Sequence, residues 1–142
     1  MRKFLALATV IVFVLTGCGA STPTVAETPQ AAVPDIDLTS MSSTVVYSQV
    51  YDMMYSPETY LGKTIRMRGR YTEYTNFDQS QFFPACVIDD ATACCSQGIE
   101  FVTASGSYPK NGDEVTVEGV FCAYVDESDG QTYYHLENAV LK

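Results

Sequence analysis

The hydrophobic pattern changes its period along the chain, and each period predicts a different element. Apolar residues recur first at Val46, Val50 and Met53 or Met54, a spacing that places them on one face of a helix. Serines directly before this stretch are good helix caps. We therefore expect a helix near the start of the folded part of the chain.

Beyond this helix the period shortens to two, which is typical of strands. Within residues 64–74, apolar positions such as Ile65 and Tyr71 alternate with arginines, so one face of this strand is apolar and the other basic. Asn111-Gly112 predicts a tight turn. The five expected strands cover residues 64–74, 82–89, 98–103, 114–125 and 132–141.

A helix followed by five such strands predicts a mainly β domain that forms a small closed or partly closed barrel. Gly69 and Gly119 lie in mid-strand, where a tight barrel needs bends. Residues 57–69 resemble the opening of OB-fold domains in bacterial envelope proteins. This resemblance implies a five-stranded OB-like Greek-key barrel preceded by an N-terminal helix. Residues 82–101 resemble uncharacterised Gram-positive envelope lipoproteins, which implies a location but no activity.

The start of the chain has the features of an export signal. Arg2 and Lys3 precede an apolar run over residues 4–15, too short to span a bilayer comfortably. Residues 15–18, Leu-Thr-Gly-Cys, resemble the lipobox of bacterial lipoproteins. The resemblance implies a signal peptide at residues 1–17 and acylation of Cys18 with diacylglycerol and a further chain such as palmitate. The alternative is an ordinary cleaved signal with an accidental cysteine.

Residues 18–41 form the expected connection between the lipid and the domain. They contain Pro23, Pro29 and Pro34 and few large apolar residues, so they cannot bury enough surface to offset their ordering entropy. We expect a lipidated Cys18 on a disordered tether, followed by the OB-like domain at residues 42–142. This organisation predicts an extracytoplasmic protein that is anchored to the cell membrane by lipid.

Charge and composition exclude several functions. The chain has 8 Lys and Arg against 17 Asp and Glu, a net charge of −9. A nucleic-acid partner is not expected, because binding to phosphate backbones depends on positive charge. The sequence also contains no G-x-S-x-G, P-loop or H-E-x-x-H motif. We therefore predict a binding or interaction module and not an enzyme.

The residues with the most distinctive chemistry are four cysteines and the only histidine: Cys86, Cys94, Cys95, Cys122 and His135. Thiolates and imidazole are the ligands that zinc prefers, and thiolates also suit Cu(I). A hairpin loop of two or four residues between the last two strands would pair Cys122 with His135 on one face. The sharper hypothesis is thus a Zn²⁺ site made of these five residues.

The same cysteines support a structural alternative. Disulfides form readily outside the cytoplasm, and four cysteines make two of them. Because a bond between adjacent residues is strained, one of Cys94 and Cys95 would pair with Cys86 and the other with Cys122. A mixed state is the third option, with one disulfide and a metal held by the remaining cysteines and His135. Redox catalysis is disfavoured, because no C-x-x-C motif is present.

The arginines of the first strand leave a further choice open. Arg66, Arg68 and Arg70, together with Lys63, could bind an anionic ligand. They could equally form a solvated strand face that pairs with acidic neighbours such as Glu118. Two functions therefore compete for the domain as a whole. It is a metal-binding module, or a disulfide-stapled module that recognises an envelope polymer or protein through its barrel face.

Overall fold

The computed structural model describes residues 33–76 and 79–142. The expected signal peptide (residues 1–17), the lipidation site Cys18 and most of the expected tether lie outside the described residues. The described chain is mainly β, with one α-helix and six strands. Its elements are β1 (Ile36–Asp37), α1 (Ser43–Tyr55), a 3₁₀ turn (Pro57–Thr59), β2 (Thr64–Thr75), β3 (Phe82–Asp89), β4 (Ser96–Thr103), β5 (Glu114–Val125) and β6 (Thr132–Leu141).

The six strands form one mixed sheet in the order β1-β2-β3-β4-β6-β5, and β5 also pairs with β2. The β1–β2 and β4–β6 pairs are parallel, whereas the other pairs are antiparallel. Strand β2 is long enough to pair with several strands along its length. Its residues 64–70 pair with β5, and its residues 70–75 pair with β3. The pairing order β2-β3-β4-β6-β5 therefore returns to β2.

The five strands that the two-residue period predicts are confirmed as β2 to β6. The expected bounds match those of β3, β5 and β6, while β2 and β4 are longer by one and two residues. In β5, for example, Val115, Val117 and Phe121 are buried, whereas the even-numbered residues 116–124 are half-buried. This alternation separates a core face of the sheet from an outer face.

Helix α1 covers the core at one side of the sheet. The residues expected to form its apolar stripe, Val46, Val50 and Met53, are all buried. The helix contacts β3 and β4. Beneath it, the rings of Tyr71 and Phe101 pack edge to face, with centroids 5.9 Å apart. Burial of such side chains is the main source of stability in a domain of this size.

The folded unit begins earlier than the expected boundary at Ser42. Strand β1 pairs with β2, and the Leu38 N–H donates a hydrogen bond of 2.8 Å to the Arg66 carbonyl. The Leu38 side chain is only 1% exposed, and Pro34 is buried. The expectation of a disordered tether is therefore wrong for residues 34–41. The sequence did not predict this strand, because its short apolar segment lies among prolines and polar residues and its partner, β2, is distant in sequence.

Arg66 joins this N-terminal segment to the sheet. Its guanidinium lies 3.0 Å from the Asp37 carboxylate and 2.6 Å from the Glu118 carboxylate. Glu118 also forms an ion pair with the Lys142 ammonium group at 3.4 Å. Burial raises the pKa of Glu118, but Arg66 and Lys142 outweigh it and hold the pKa below its usual range. Arg66 therefore fits one of the two expectations for the arginines of β2, a strand face that pairs with acidic neighbours.

Candidate functional site

The five residues expected to share one metal site lie in three separate places. Cys86 is on the core face of β3 and is completely buried. Cys122 is on the outer face of β5, because its neighbour Phe121 is buried in the core and successive side chains alternate. Cys94 and Cys95 are exposed in the loop between β3 and β4. The sheet itself therefore separates Cys86 from Cys122.

The expected pairing of Cys122 with His135 is confirmed, since the two residues are direct partners between β5 and β6. Their side chains nevertheless have other neighbours. The His135 imidazole stacks on the Tyr124 ring, with centroids 4.9 Å apart. Burial and a hydrogen bond with the Glu137 carboxylate raise the pKa of Cys122. Direct pairing thus brings the thiol and the imidazole to one face without making them ligands of one ion.

The β3–β4 loop is organised by the carboxylate of Asp90. Its Oδ1 accepts hydrogen bonds from the backbone N–H groups of Thr92 and Cys94, both at 3.0 Å. The Asp90 N–H donates to the Cys95 carbonyl at 2.9 Å and closes the loop at its base. Ala93 turns the chain with a φ of +55°. Aspartate is favoured at such positions because its short side chain can bond its own backbone two residues on.

The same carboxylate brings a third potential ligand to the two thiols. Cys94 Sγ lies 3.2 Å from Asp90 Oδ2 and 3.5 Å from Cys95 Sγ. One ligand atom from each of the three residues lies within 4.8 Å of the other two. Ligand atoms of a tetrahedral zinc ion are separated by about 3.3–3.8 Å, given bonds of about 2.0–2.3 Å. The cluster can therefore occupy three corners of such a site, with the fourth corner open to solvent.

The protonation of this cluster is linked across its three members. The hydrogen bond from the Cys94 thiol lowers the pKa of Asp90, so the carboxylate is ionised at neutral pH. The hydrogen bond with Cys94 and the charge of that neighbour raise the pKa of Cys95. A metal ion would have to displace thiol protons to bind here. Its affinity for the cluster would then rise with pH.

All four cysteines of the described chain are free thiols. The separation of 3.5 Å between Cys94 Sγ and Cys95 Sγ exceeds the bond length of a disulfide, about 2.05 Å. The expected long-range pairs, from Cys86 and Cys122 to the loop, are not formed.

Asp90 is the member of the cluster that sequence reasoning missed. Its signal was the Asp-x-Thr pattern at residues 90–92, which predicts a turn that the aspartate side chain stabilises. A turn of this kind brings the residue four positions on, Cys94, back to the carboxylate. The other expected ligands of the cysteine pair, Cys86, Cys122 and His135, lie outside this loop.

No protein-family model and no curated protein matches this sequence. Within residues 33–76 and 79–142, no helix is long and apolar enough to cross a membrane.

Proposed function

We propose that this chain is a lipid-anchored, extracytoplasmic binding module that holds one thiophilic metal ion at Asp90, Cys94 and Cys95. Zn²⁺ is the expected ion, and Cu(I) is the alternative that its two thiolates also suit. The observation that carries the proposal is the convergence of two thiols and one carboxylate within one short loop. The loop's own hydrogen bonds support it, because they hold the ligands near their bound positions before the metal arrives.

For the topology of the mainly β domain, we propose an OB-like barrel. Its support is the pairing of β2 with both β3 and β5, which makes the order of the five long strands circular. The parallel β4–β6 pair is consistent with a Greek-key connection. In this fold α1 would close one end of the barrel, and the β3–β4 loop would project from its rim.

The proposed location depends on the leader and on Cys18. Two or more acyl chains give stable membrane anchoring, whereas one gives reversible binding. The loop with the cysteine pair would then face the space outside the cytoplasmic membrane. An open coordination position is suited to accepting a metal from solution, or passing it to another ligand.

Titration with Zn²⁺ tests the metal site. The full-length chain is expressed with its leader, extracted in detergent without oxygen or chelator, stripped of metal, and titrated against a chromophoric chelator. We expect one equivalent to bind. Cys94→Ser and Cys95→Ser should each weaken binding by at least about 100-fold, because loss of even an outer-shell partner costs 10–100-fold. Asp90→Asn keeps an oxygen acceptor for the loop N–H groups and should cost about tenfold.

Two matched controls separate this site from the larger set expected from sequence. Cys122→Ser removes a thiol on the outer face, and His135→Ala removes the imidazole. Both should leave zinc affinity unchanged within a factor of two. The proposal is wrong if Cys94→Ser and Cys95→Ser bind zinc like the parent, or if His135→Ala releases it.

A second candidate is recognition of an envelope polymer or protein through the outer face of the sheet. The observation that favours it is a strip of stacked rings on β5 and β6, in which Tyr124 lies against both Tyr133 and His135. Tyr133 is 39% exposed, so a flat ligand could extend the stack. Retention of the chain on isolated cell envelopes after removal of the lipid, and its loss in Tyr133→Ala, would support this function.

A further inference from the structure

A cavity of about 370 Å³ lies beside one edge of β2, between the part of this strand that pairs with β1 and the part that pairs with β3. On this edge, β1 pairs with β2 as far as Arg66, and β3 begins to pair at Arg70. Among the described residues, none pairs as a strand with residues 67–69 on that side. Leu38 forms one wall of the gap, and Val87 of β3 forms the facing wall. The gap is a concave site that polar, charged and apolar side chains line together.

Two opposite charges at this cavity lack partners of their own. Arg68 and Glu114 both line it, and neither forms an ion pair or a side-chain hydrogen bond with any described residue. Arg70 and Asp89 also line it but pair with each other at 3.1 Å. Arg68 and Glu114 are diagonal neighbours on one face of β2 and β5, since Glu114 is the direct partner of Arg70. A ligand could therefore meet both charges at once.

We propose that this cavity binds the zwitterion of an apolar α-amino acid. The α-carboxylate would pair with the Arg68 guanidinium, which matches a planar carboxylate through two parallel hydrogen bonds. The α-ammonium would pair with the Glu114 carboxylate. The ligand's side chain would lie against Leu38, Val46 and Val87. Asp90, Cys94 and Cys95 do not line this cavity, although Asp89 does, and the inference does not depend on the metal proposal.

The charges of the cavity favour a zwitterion over a simple anion. Arg68 and Arg70 are balanced by Asp89 and Glu114, so the four side chains carry no net charge. A phosphate dianion would meet two carboxylates as well as two guanidiniums. Arg68 and Glu114 are both exposed, and a zwitterion can pair each of these two charges with its opposite.

Calorimetric titration of the full-length protein in detergent tests the site, with L-leucine, L-valine, L-methionine and L-phenylalanine as probes. At least one should bind with a stoichiometry of one. The same titration with 4-methylpentanoate, which lacks the ammonium group of leucine, should show at least tenfold weaker binding. 3-Methylbutylamine, which lacks the carboxylate, should show the same loss. Losing a hydrogen-bonded charge contact has a cost of this order.

Charge-matched variants locate the binding. Arg68→Gln and Glu114→Gln should each weaken amino-acid binding at least tenfold, because each removes one of the two charge contacts. Lys63→Gln and Glu58→Gln remove the same charges from residues that do not line the cavity, and they should change affinity less than twofold. Since neither Arg68 nor Glu114 forms an ion pair with any described residue, their variants should unfold at the parent's temperature.

Three results would overturn the inference. Absence of binding for all four amino acids is one. Binding that survives Arg68→Gln and Glu114→Gln is the second. Equal binding of 4-methylpentanoate and leucine is the third, since it would make the site one for organic anions. Cys94→Ser should bind the amino acid like the parent, which keeps this result independent of the metal site.

Discussion

Cys86 and the Cys94–Cys95 pair lie on one strand and the loop that follows it, yet their surroundings are opposite. The Cys86 thiol is fully buried among apolar side chains, and burial raises its pKa to about 12. The loop thiols are exposed, lie 3.5 Å apart and adjoin a carboxylate. One cysteine therefore behaves as a small apolar core residue, while the other two have the surroundings of reactive or metal-binding thiols.

The difference shows that cysteine count alone is a poor guide to a site in this chain. Four thiols and one histidine suggested a single cluster, but the alternation of side chains across the sheet disperses them. What brings ligands together is a local turn, in which the Asp90 carboxylate bonds two backbone N–H groups and one thiol.

The largest expected contrast is in chemical reactivity. Under native, reducing conditions at pH 8, iodoacetamide should modify Cys94 and Cys95 at least about 10³-fold faster than Cys86, because a core thiol reacts only when the structure opens. Mass spectrometry of peptides from timed samples measures the three rates. In denaturant the rates should become similar, which is the control. Comparable rates in the folded protein would mean that Cys86 is not in the core.

The next contrast is in stability. Cys86→Ser places a hydroxyl in an apolar site and should lower the free energy of unfolding by about 1–3 kcal/mol. Cys95→Ser, the matched exchange at an exposed position, should change it by less than about 0.5 kcal/mol. Urea unfolding followed by tyrosine fluorescence gives both values. If the two variants lose equal stability, the assignment of Cys86 to scaffold and Cys95 to function fails.

The smallest effect concerns the coupling within the loop pair. Because Cys94 raises the pKa of Cys95, removing it should let Cys95 ionise at lower pH. The midpoint of the pH–rate profile for alkylation of Cys95 should accordingly move to lower pH in Cys94→Ser. Cys122→Ser, a thiol exchange outside the loop, should leave the profile in place. An unmoved midpoint in Cys94→Ser would show that the two loop thiols do not interact.

Much of the fold followed from sequence because its signals are local. Apolar runs between turn signals predicted the bounds of β3, β5 and β6, and the apolar stripe of Val46, Val50 and Met53 predicted the helix that became α1. The expected serine cap is not made, because Ser42 forms no side-chain hydrogen bond at the start of the helix. Strand β1 was missed because two residues carry no period. Its existence depends on contacts with β2 and on burial of Leu38, which only the assembled sheet supplies.

Less of the candidate site could be predicted from the sequence. A hairpin loop of two or four residues predicted that Cys122 and His135 are direct partners, and this pairing is confirmed. It could not predict that the imidazole stacks on Tyr124 or that Cys86 faces the other side of the sheet. Asp90 could not be assigned from sequence because its position beside the thiols comes from the geometry of the loop and not from a spacing between soft ligands.

The intact mass of the full-length protein tests the central claim most directly. The chain is isolated from its own host in detergent, without chelator or added metal, and is measured before and after chelation and reduction. The account predicts a mass that exceeds the treated form by one zinc or copper ion, with all four thiols of the domain reduced. A native mass about 4 Da below the treated form, with no metal, would mean two disulfides. That result would contradict the account and make the cysteines structural.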